Sequence, residues 1–226
     1  MLAVDLDGTL VDSAPDIAHC LGRALEAVGC AAPGEDRARL WIGDGLEALI
    51  ARALLHGAEG DLATCDPQHP GPEPDQHGAA LAAFLACYRE NLFVRSRLYP
   101  DAVDTLDALQ LAGIRLCCIT NKRLAFSEEL LRQAGVDDRF ELVLGGDSLP
   151  QKKPSPMQLT SAARTLGVAP SLAALVGDSH QDLHAARSAG FSFVWAAYGY
   201  GKVDASEVGS SPRIERFAEL ATLLST

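Results

Sequence analysis

The feature that most constrains this chain is an alternation that runs through its second half. From Tyr99-Pro100 onward, short apolar runs take turns with amphipathic stretches, and the runs end on polar residues. Arg115-Leu116-Cys117-Cys118-Ile119-Thr120 reads as a strand closing at Thr120-Asn121. Residues 141–144 form a second, ending at Gly145-Gly146-Asp147. Residues 173–176 form a third, ending at Gly177-Asp178-Ser179, and 192–197 a fourth. The intervening segments 102–112, 123–134, 156–166 and 181–189 carry helical spacing; Gly113 and Gly135 stop two of them, and Pro156 opens another. No two-residue hairpin signal joins the strands. The pattern predicts an α/β fold, a parallel sheet covered by helices on both faces. In such sheets ligands bind beyond the carboxyl ends of the strands, where these polar residues fall.

The same rhythm begins at the start of the chain. Leu2-Ala3-Val4 runs into Asp5, and Asp7 follows before Gly8 and Thr9. If the run is a strand, period-two alternation points Asp5 and Asp7 to one side, while Gly8 lets the backbone depart sharply. Two carboxylates this close repel each other, and a bound cation reverses that cost. A hard, oxygen-liganded ion such as Mg²⁺ fits. Taken alone, a tetrapeptide such as Asp5-Leu6-Asp7-Gly8 usually means a solvated turn at a strand end.

Between these two stretches the pattern is helical. After Pro15, the residues Ile17, Cys20, Leu21, Ala24, Leu25 and Val28 recur at helical spacing, with Gly29 as the stop and Ser13 placed to cap. A loop with Pro33 and Gly34 follows. Gly43-Asp44-Gly45 precedes a second amphipathic helix marked by Leu46, Leu49, Ile50, Ala53 and Leu54. Residues 66–78 hold four prolines and two glycines, which reads as an exposed loop. Residues 79–91 then form a further helix. The expected division is a core of residues 1–15 and 95–226 and a helical insert of residues 16–94.

Composition narrows the partners. With 226 residues, 48% hydrophobic and 22% charged, the chain is globular in character. Its formal charge of −11 argues against nucleic acid or an anionic membrane surface, and no apolar run approaches a membrane span. No basic flank precedes a hydrophobic stretch at the start, so a cytoplasmic location is expected. An acidic protein acting on an anion needs local positive charge or a metal. The six cysteines form no C-x-x-C pair, so neither a catalytic cysteine nor a disulfide framework is expected. His180 and His184 have a spacing that can bind zinc, but nearby oxygen ligands and the frequency of surface helix histidines argue against it.

Taken in order, four clusters resemble the motifs of the haloacid dehalogenase superfamily. They are Asp5-Leu6-Asp7-Gly8-Thr9, the strand-terminal Thr120, Lys153 in Lys152-Lys153-Pro154, and Gly177-Asp178-Ser179-His180-Gln181-Asp182. The helical insert resembles that superfamily's cap, so the resemblance covers essentially the whole chain. It implies a Rossmann-like core with a small all-helical cap that selects the substrate. It also implies a Mg²⁺-dependent phosphate monoester hydrolase working through an aspartyl-phosphate. Carried onto this chain, Asp5 is the nucleophile, Asp7 the proton carrier and Lys153 the counter-charge. The metal falls to Asp5, the Asp7 main-chain carbonyl and Asp178, with Asp182 orienting Lys153 or a metal-bound water. Thr120 and Asn121 bind the phosphoryl group. Lys153 is preferred to Lys152 because the superfamily's lysine stands directly before proline.

Asp7 argues against dehalogenation, in which no alkoxide leaving group needs a proton. Among phosphatases, residues 5–14, 41–45, 52–54 and 145–154 resemble the bacterial phosphoglycolate phosphatase family, which implies 2-phosphoglycolate as substrate. An N-acetylmuramic acid 6-phosphate phosphatase, a broad sugar-phosphate phosphatase, a phosphomutase and a non-catalytic phosphate-binding module are the alternatives. For a small phosphorylated metabolite with a distal carboxylate, Gly43, Asp44 and Gly45 offer amides at a helix start, with Arg52 or Lys122 as supporting cations. The same glycines could equally serve only a tight turn between helices. The expected assembly is a monomer or homodimer.

Overall fold

The computed structural model describes residues 1–56, 74–201 and 203–224. The chain divides into two compact units, one of Met1–Asp12 with Arg97–Thr226 and one of Ser13–Ser96. In chain order the elements begin with β1 (Leu2–Val4), β2 (Val11–Asp12), α1 (Ala14–Glu26), α2 (Glu35–Arg39), α3 (Leu46–His56), α4 (Pro74–Glu90) and β3 (Arg97–Leu98). They continue with α5 (Ala102–Leu111), β4 (Leu116–Ile119), α6 (Leu124–Ala134), β5 (Leu142–Leu144), α7 (Met157–Thr165) and β6 (Ala174–Gly177). The last are α8 (His180–Ala189), β7 (Ser192–Ala196), α9 (Ala205–Val208), β8 (Arg213–Ile214) and α10 (Glu219–Leu223).

In the first unit the sheet runs β5-β4-β1-β6-β7-β8, every pairing parallel. Helices lie on both of its faces, the α/β arrangement that the alternation predicts. Register aligns Val4 with Cys118 and Val176, so the ends of β4, β1 and β6 come level. Ala3, Cys117, Ile119, Leu175 and Phe193 share a core with Leu159 of α7 and Leu183 of α8. These strands are buried on both faces, since Leu2, Val4, Leu116 and Cys118 are also inaccessible. That explains why they read as continuous apolar runs instead of alternating ones. Chain order reverses across β1: successive strands first step to β4 and β5, then jump back to β6 and continue the other way. The crevice at such a reversal is where ligands bind in this architecture.

The chain leaves this unit on β2 and re-enters on β3, which pair antiparallel through Val11–Leu98 and Asp12–Arg97. Within the second unit α1 packs along α4, flanked by α2 and α3. The Cys20 and Cys87 sulfurs meet 2.7 Å apart in that α1–α4 seam. Asp16, in the first turn of α1, is fully buried. It accepts hydrogen bonds from the backbone N–H of Val94 (2.9 Å), Arg95 (2.9 Å) and Ser96 (2.8 Å), and from Ser96 Oγ (2.7 Å). Arg95 Nη1 approaches at 3.3 Å. One carboxylate thus joins the two ends of the insert.

Several local expectations change. Residues 35–39, read from sequence as loop, are helical. α4 starts at Pro74, not at residue 79, because proline is tolerated in a first helical turn. The remainder of the proline-rich segment, through residue 73, lies outside the described residues. Ser13 precedes α1 but makes no side-chain capping bond; its carbonyl accepts from Ile17 N–H at 3.1 Å.

Candidate active site

The reversal point brings the acids together. Asp5 is the first residue after β1, Asp178 the first after β6, and Asp182 lies in the first turn of α8. All three are buried, and one carboxylate oxygen from each lies within 4.8 Å of the others. Lys153, from the loop after β5, is 2% exposed and fits between two of them. Its ammonium donates to Asp5 Oδ1 (2.7 Å), Asp182 Oδ1 (2.6 Å) and the Ile119 carbonyl (2.8 Å). Of the two adjacent lysines it is Lys153, then, whose charge reaches Asp5.

With all three buried carboxylates ionised, the one ammonium would leave two negative charges in a low-dielectric site. The titration behaviour follows. Burial pushes the Asp5 carboxyl up to about 7, with the Asp182 charge adding to the effect and Lys153 opposing it. Burial, then Asp5 and Asp182, drives Asp178 well above the usual carboxylate range. For Lys153 burial acts downward, but Asp182 and Asp5 outweigh it and hold the ammonium above the ordinary lysine range. The excess equals the charge of one divalent cation, and the donors are oxygens, which fits a hard ion such as Mg²⁺.

The backbone around the acids admits little else. Gly8 has φ 88°, and a Cβ there would stand 2.1 Å from Asp178 Oδ2. At Gly177 a Cβ would meet Asp182 Cγ at 2.3 Å, and at Gly199 it would meet the Gly8 carbonyl at 2.4 Å. Gly201 N–H donates to Asp178 Oδ2 at 2.7 Å. Asp182 turns its other oxygen to Ser179, accepting from both its N–H and its Oγ. It therefore caps α8 and orients Lys153 at once.

Asp7 stands apart from this trio. β1 ends at Val4, and the Leu6 carbonyl collects the N–H groups of Thr9, Leu10 and Val11 (3.3, 3.0 and 2.9 Å), so the chain turns before Asp7. Strand alternation therefore does not set the direction of the pair. The Asp7 carboxylate instead meets the Lys122 ammonium at 2.9 and 3.0 Å, both side chains largely buried. Thr120 and Asn121 follow β4. Thr120 Oγ1 accepts from Lys122 N–H at 3.2 Å, and Asn121 Nδ2 donates to the Lys153 carbonyl at 3.0 Å.

A sequence model of the haloacid dehalogenase-like hydrolases matches residues 1–190. The chain belongs to that family. It is 41% identical over 226 residues to a phosphoglycolate phosphatase of Nitrosococcus oceani, covering 100% of this chain and 96% of the relative. It is 38% identical to one of Colwellia psychrerythraea, covering 97% and 94%. Among solved structures, a predicted phosphoglycolate phosphatase from Haemophilus somnus superposes with a TM-score of 0.89 at 33% identity, covering 99% and 96%. CbbY from Rhodobacter sphaeroides, solved in complex with phosphate, gives 0.73 at 30%, covering 97% and 95%.

Two parts of this hydrolase's site escaped the sequence reading. Gln158, fully buried on α7, ties the loops together: Nε2 donates to the Gly145 carbonyl (2.7 Å) and the Thr120 carbonyl (3.3 Å), and Oε1 accepts from Lys153 N–H (3.2 Å). Nothing in the local sequence marks Gln158, whose burial is a property of the fold. The segment Tyr198-Gly199-Tyr200-Gly201, whose glycines crowd Asp178, was the other; Tyr198 also donates to the Thr9 carbonyl at 2.7 Å. In the helical unit, Gly43 (φ 123°) and Gly45 (φ 88°) flank Asp44 just before α3. Arg52 is engaged within this loop, donating to the Trp41 carbonyl at 3.0 Å and to Asp44.

Proposed function

We propose that the protein hydrolyses the phosphate monoester of a small carboxylate, 2-phosphoglycolate, to glycolate and phosphate. The observation that carries this reading is the buried group of Asp5, Asp178 and Asp182 around Lys153, set at the reversal point of the sheet. Relatives named phosphoglycolate phosphatase, matching nearly end to end, support the choice of substrate. Asp5, Asp178 and the Asp7 carbonyl would hold Mg²⁺, with Asp182 kept on Lys153. When bound, that ion supplies neutralising charge for the acids and the phosphoryl group.

A phosphate dianion repels an incoming carboxylate, so catalysis depends on positioning and charge. Asp5 attacks phosphorus; the bond to the leaving oxygen breaks as the Asp5–phosphorus bond forms, giving an aspartyl-phosphate. Lys153, locked by Asp182 and the Ile119 carbonyl, holds Asp5 Oδ1 and faces the developing charge without reorganising. Asp7 donates a proton to the departing alkoxide and then takes one from the water that cleaves the acyl phosphate. Lys122 fixes the Asp7 carboxylate until a phosphoryl anion competes for its charge. Thr120 and Asn121 hydrogen-bond phosphoryl oxygens. The helical unit selects substrate, with Gly43, Asp44 and Gly45 offering amides to the substrate carboxylate and Arg52 holding that loop in shape.

The test is phosphate release with Mg²⁺ from phosphoglycolate, hexose phosphates and N-acetylmuramic acid 6-phosphate, ranked by kcat/KM. Phosphoglycolate should lead. A sugar phosphate at the top would move the assignment to that substrate, and no release from any ester would end the aspartyl-phosphate mechanism.

A further inference from the structure

Away from the acids, one cluster of ligating side chains has a different chemistry. His180 and His184 lie one turn apart at the start of α8, with their rings 15° from parallel and centroids 6.1 Å apart. Glu207, from α9, brings Oε2 to 3.2 Å from His180 Nδ1 and 3.7 Å from His184 Nε2. The three ligand atoms all lie within 4.8 Å of one another. A zinc ion bound at about 2.0–2.1 Å keeps tetrahedral ligands roughly 3.3 Å apart. The 3.2 Å from His180 Nδ1 to the carboxylate oxygen already matches that spacing, and the 3.7 Å from His184 Nε2 is somewhat longer. The remaining nitrogen–nitrogen separation closes by small rotations of side chains that are 38% and 52% exposed.

The approach of Glu207 is built into the fold. Arg187, the next turn of α8, donates to the main-chain carbonyls of Glu207 and Val208. Asp204 fixes the start of the same segment, accepting from Ser206 N–H (2.8 Å) and Oγ (2.7 Å). The histidine spacing alone could bind zinc, and nearby oxygen ligands argued against it; what the sequence could not show is a carboxylate from a separate element, carried to both rings.

We propose that His180, His184 and Glu207 form a second, surface cation site for a zinc-class ion, with its fourth position open to water. Two imidazoles and one carboxylate suit zinc, nickel or copper, whereas Mg²⁺ takes oxygen ligands. Ligand chemistry thus separates this site from the buried acids. An ion held there clips α9 to α8.

The test is calorimetric titration of Zn²⁺ into chelator-stripped protein in excess Mg²⁺, repeated with His184→Ala, Glu207→Gln and the Asp178→Asn background. Even outer-shell partners of a metal are worth about 10–100-fold in affinity, so losing a ligand should cost no less than about tenfold. The expected result is one zinc bound by wild type and by Asp178→Asn, weakened at least tenfold by His184→Ala in either background. Glu207→Gln should weaken it similarly. Because His184 is half exposed, its alanine variant should unfold at the wild-type temperature without zinc, and a zinc-induced rise in Tm should be lost in it. Zinc binding that His184→Ala leaves unchanged, or that Asp178→Asn abolishes, would assign the ion to the thiols or the acids and overturn the site. No binding at all would overturn it equally.

Discussion

Asp5 and Asp16 are both aspartates buried early in the chain, and the fold treats them in opposite ways. Asp16 is surrounded by donors: backbone N–H groups of Val94, Arg95 and Ser96, the Ser96 hydroxyl and the Arg95 guanidinium. Burial acts to raise its pKa, but the Ser96 and Arg95 hydrogen bonds prevail and hold it below the usual carboxylate value. Asp5 shares one lysine with Asp182 while Asp178 stands close by, and burial pushes it up instead. A carboxylate whose donors are all supplied by the protein is a structural joint. One left with excess negative charge in a crevice is a place for a cation and a reaction. The difference separates what holds the insert together from what does chemistry.

The largest effect should come from breaking the reactive side of that contrast. Asp5→Asn keeps the shape and removes the nucleophile, so kcat should fall by at least about 10³-fold with folding intact. A decrease of less than tenfold in phosphate release would sink the assignment of Asp5. Lys153→Met leaves three carboxylates uncompensated. Losing one partner of a buried pair costs about 3–5 kcal/mol, so thermal unfolding without metal should move to clearly lower temperature along with the loss of activity.

Asp16→Asn probes the other side. Replacing an acceptor of several charge-assisted bonds with an amide should destabilise the fold by about 3 kcal/mol while leaving KM nearly unchanged in what remains folded. The effect should depend on pH with a definite sign. Because the folded pKa of Asp16 is depressed, its contribution is complete above its ordinary value near ~3.9 and disappears as pH falls through the lower folded value. The stability gap between wild type and variant, followed by urea unfolding, should therefore narrow in acid. A gap that stays constant from neutral pH to below about 3 would show that the charge is not what matters.

A smaller change sharpens the charge argument itself. If the acids of the first unit await a divalent cation, Mg²⁺ should stabilise the protein by about 2.7 kcal/mol at a hundred times its dissociation constant. Asp178→Asn should remove most of that increment in a thermal melt, and Asp16→Asn none of it. An equal Mg²⁺ effect in both variants would contradict the contrast between the two sites.

The strands were legible in the sequence because burial on both faces makes them continuous apolar runs, and Asp5, Thr120 and Asp178 because strand ends place them. Lys153 was legible only through the resemblance, since nothing in its local spacing aims it at a residue 148 positions away. Gln158 and Gly201 act through contacts that no periodicity encodes. Asp7 shows the limit most clearly: a period-two argument needs a strand beneath it, and β1 ends at Val4. The joint at Asp16 went unread because its partners lie 78 to 80 residues onward and three of them are backbone amides that any sequence would supply.

The smallest predicted effect separates selection from chemistry. Gly43 has φ 123°, with nothing among the described residues within 4 Å of where a Cβ would stand, so a side chain there strains the backbone without colliding with a described neighbour. Gly43→Val should therefore reshape the loop that Arg52 braces through Asp44 and the Trp41 carbonyl, and little else. If the loop's amides read the carboxylate of phosphoglycolate, KM for that substrate should rise about tenfold, roughly 1.4 kcal/mol of binding. An aryl phosphate, which carries no such carboxylate, should keep its KM and kcat because the acids and Lys153 are untouched. Parallel KM increases for both substrates would take recognition away from the loop and leave its glycines the plainer task of turning the chain into α3.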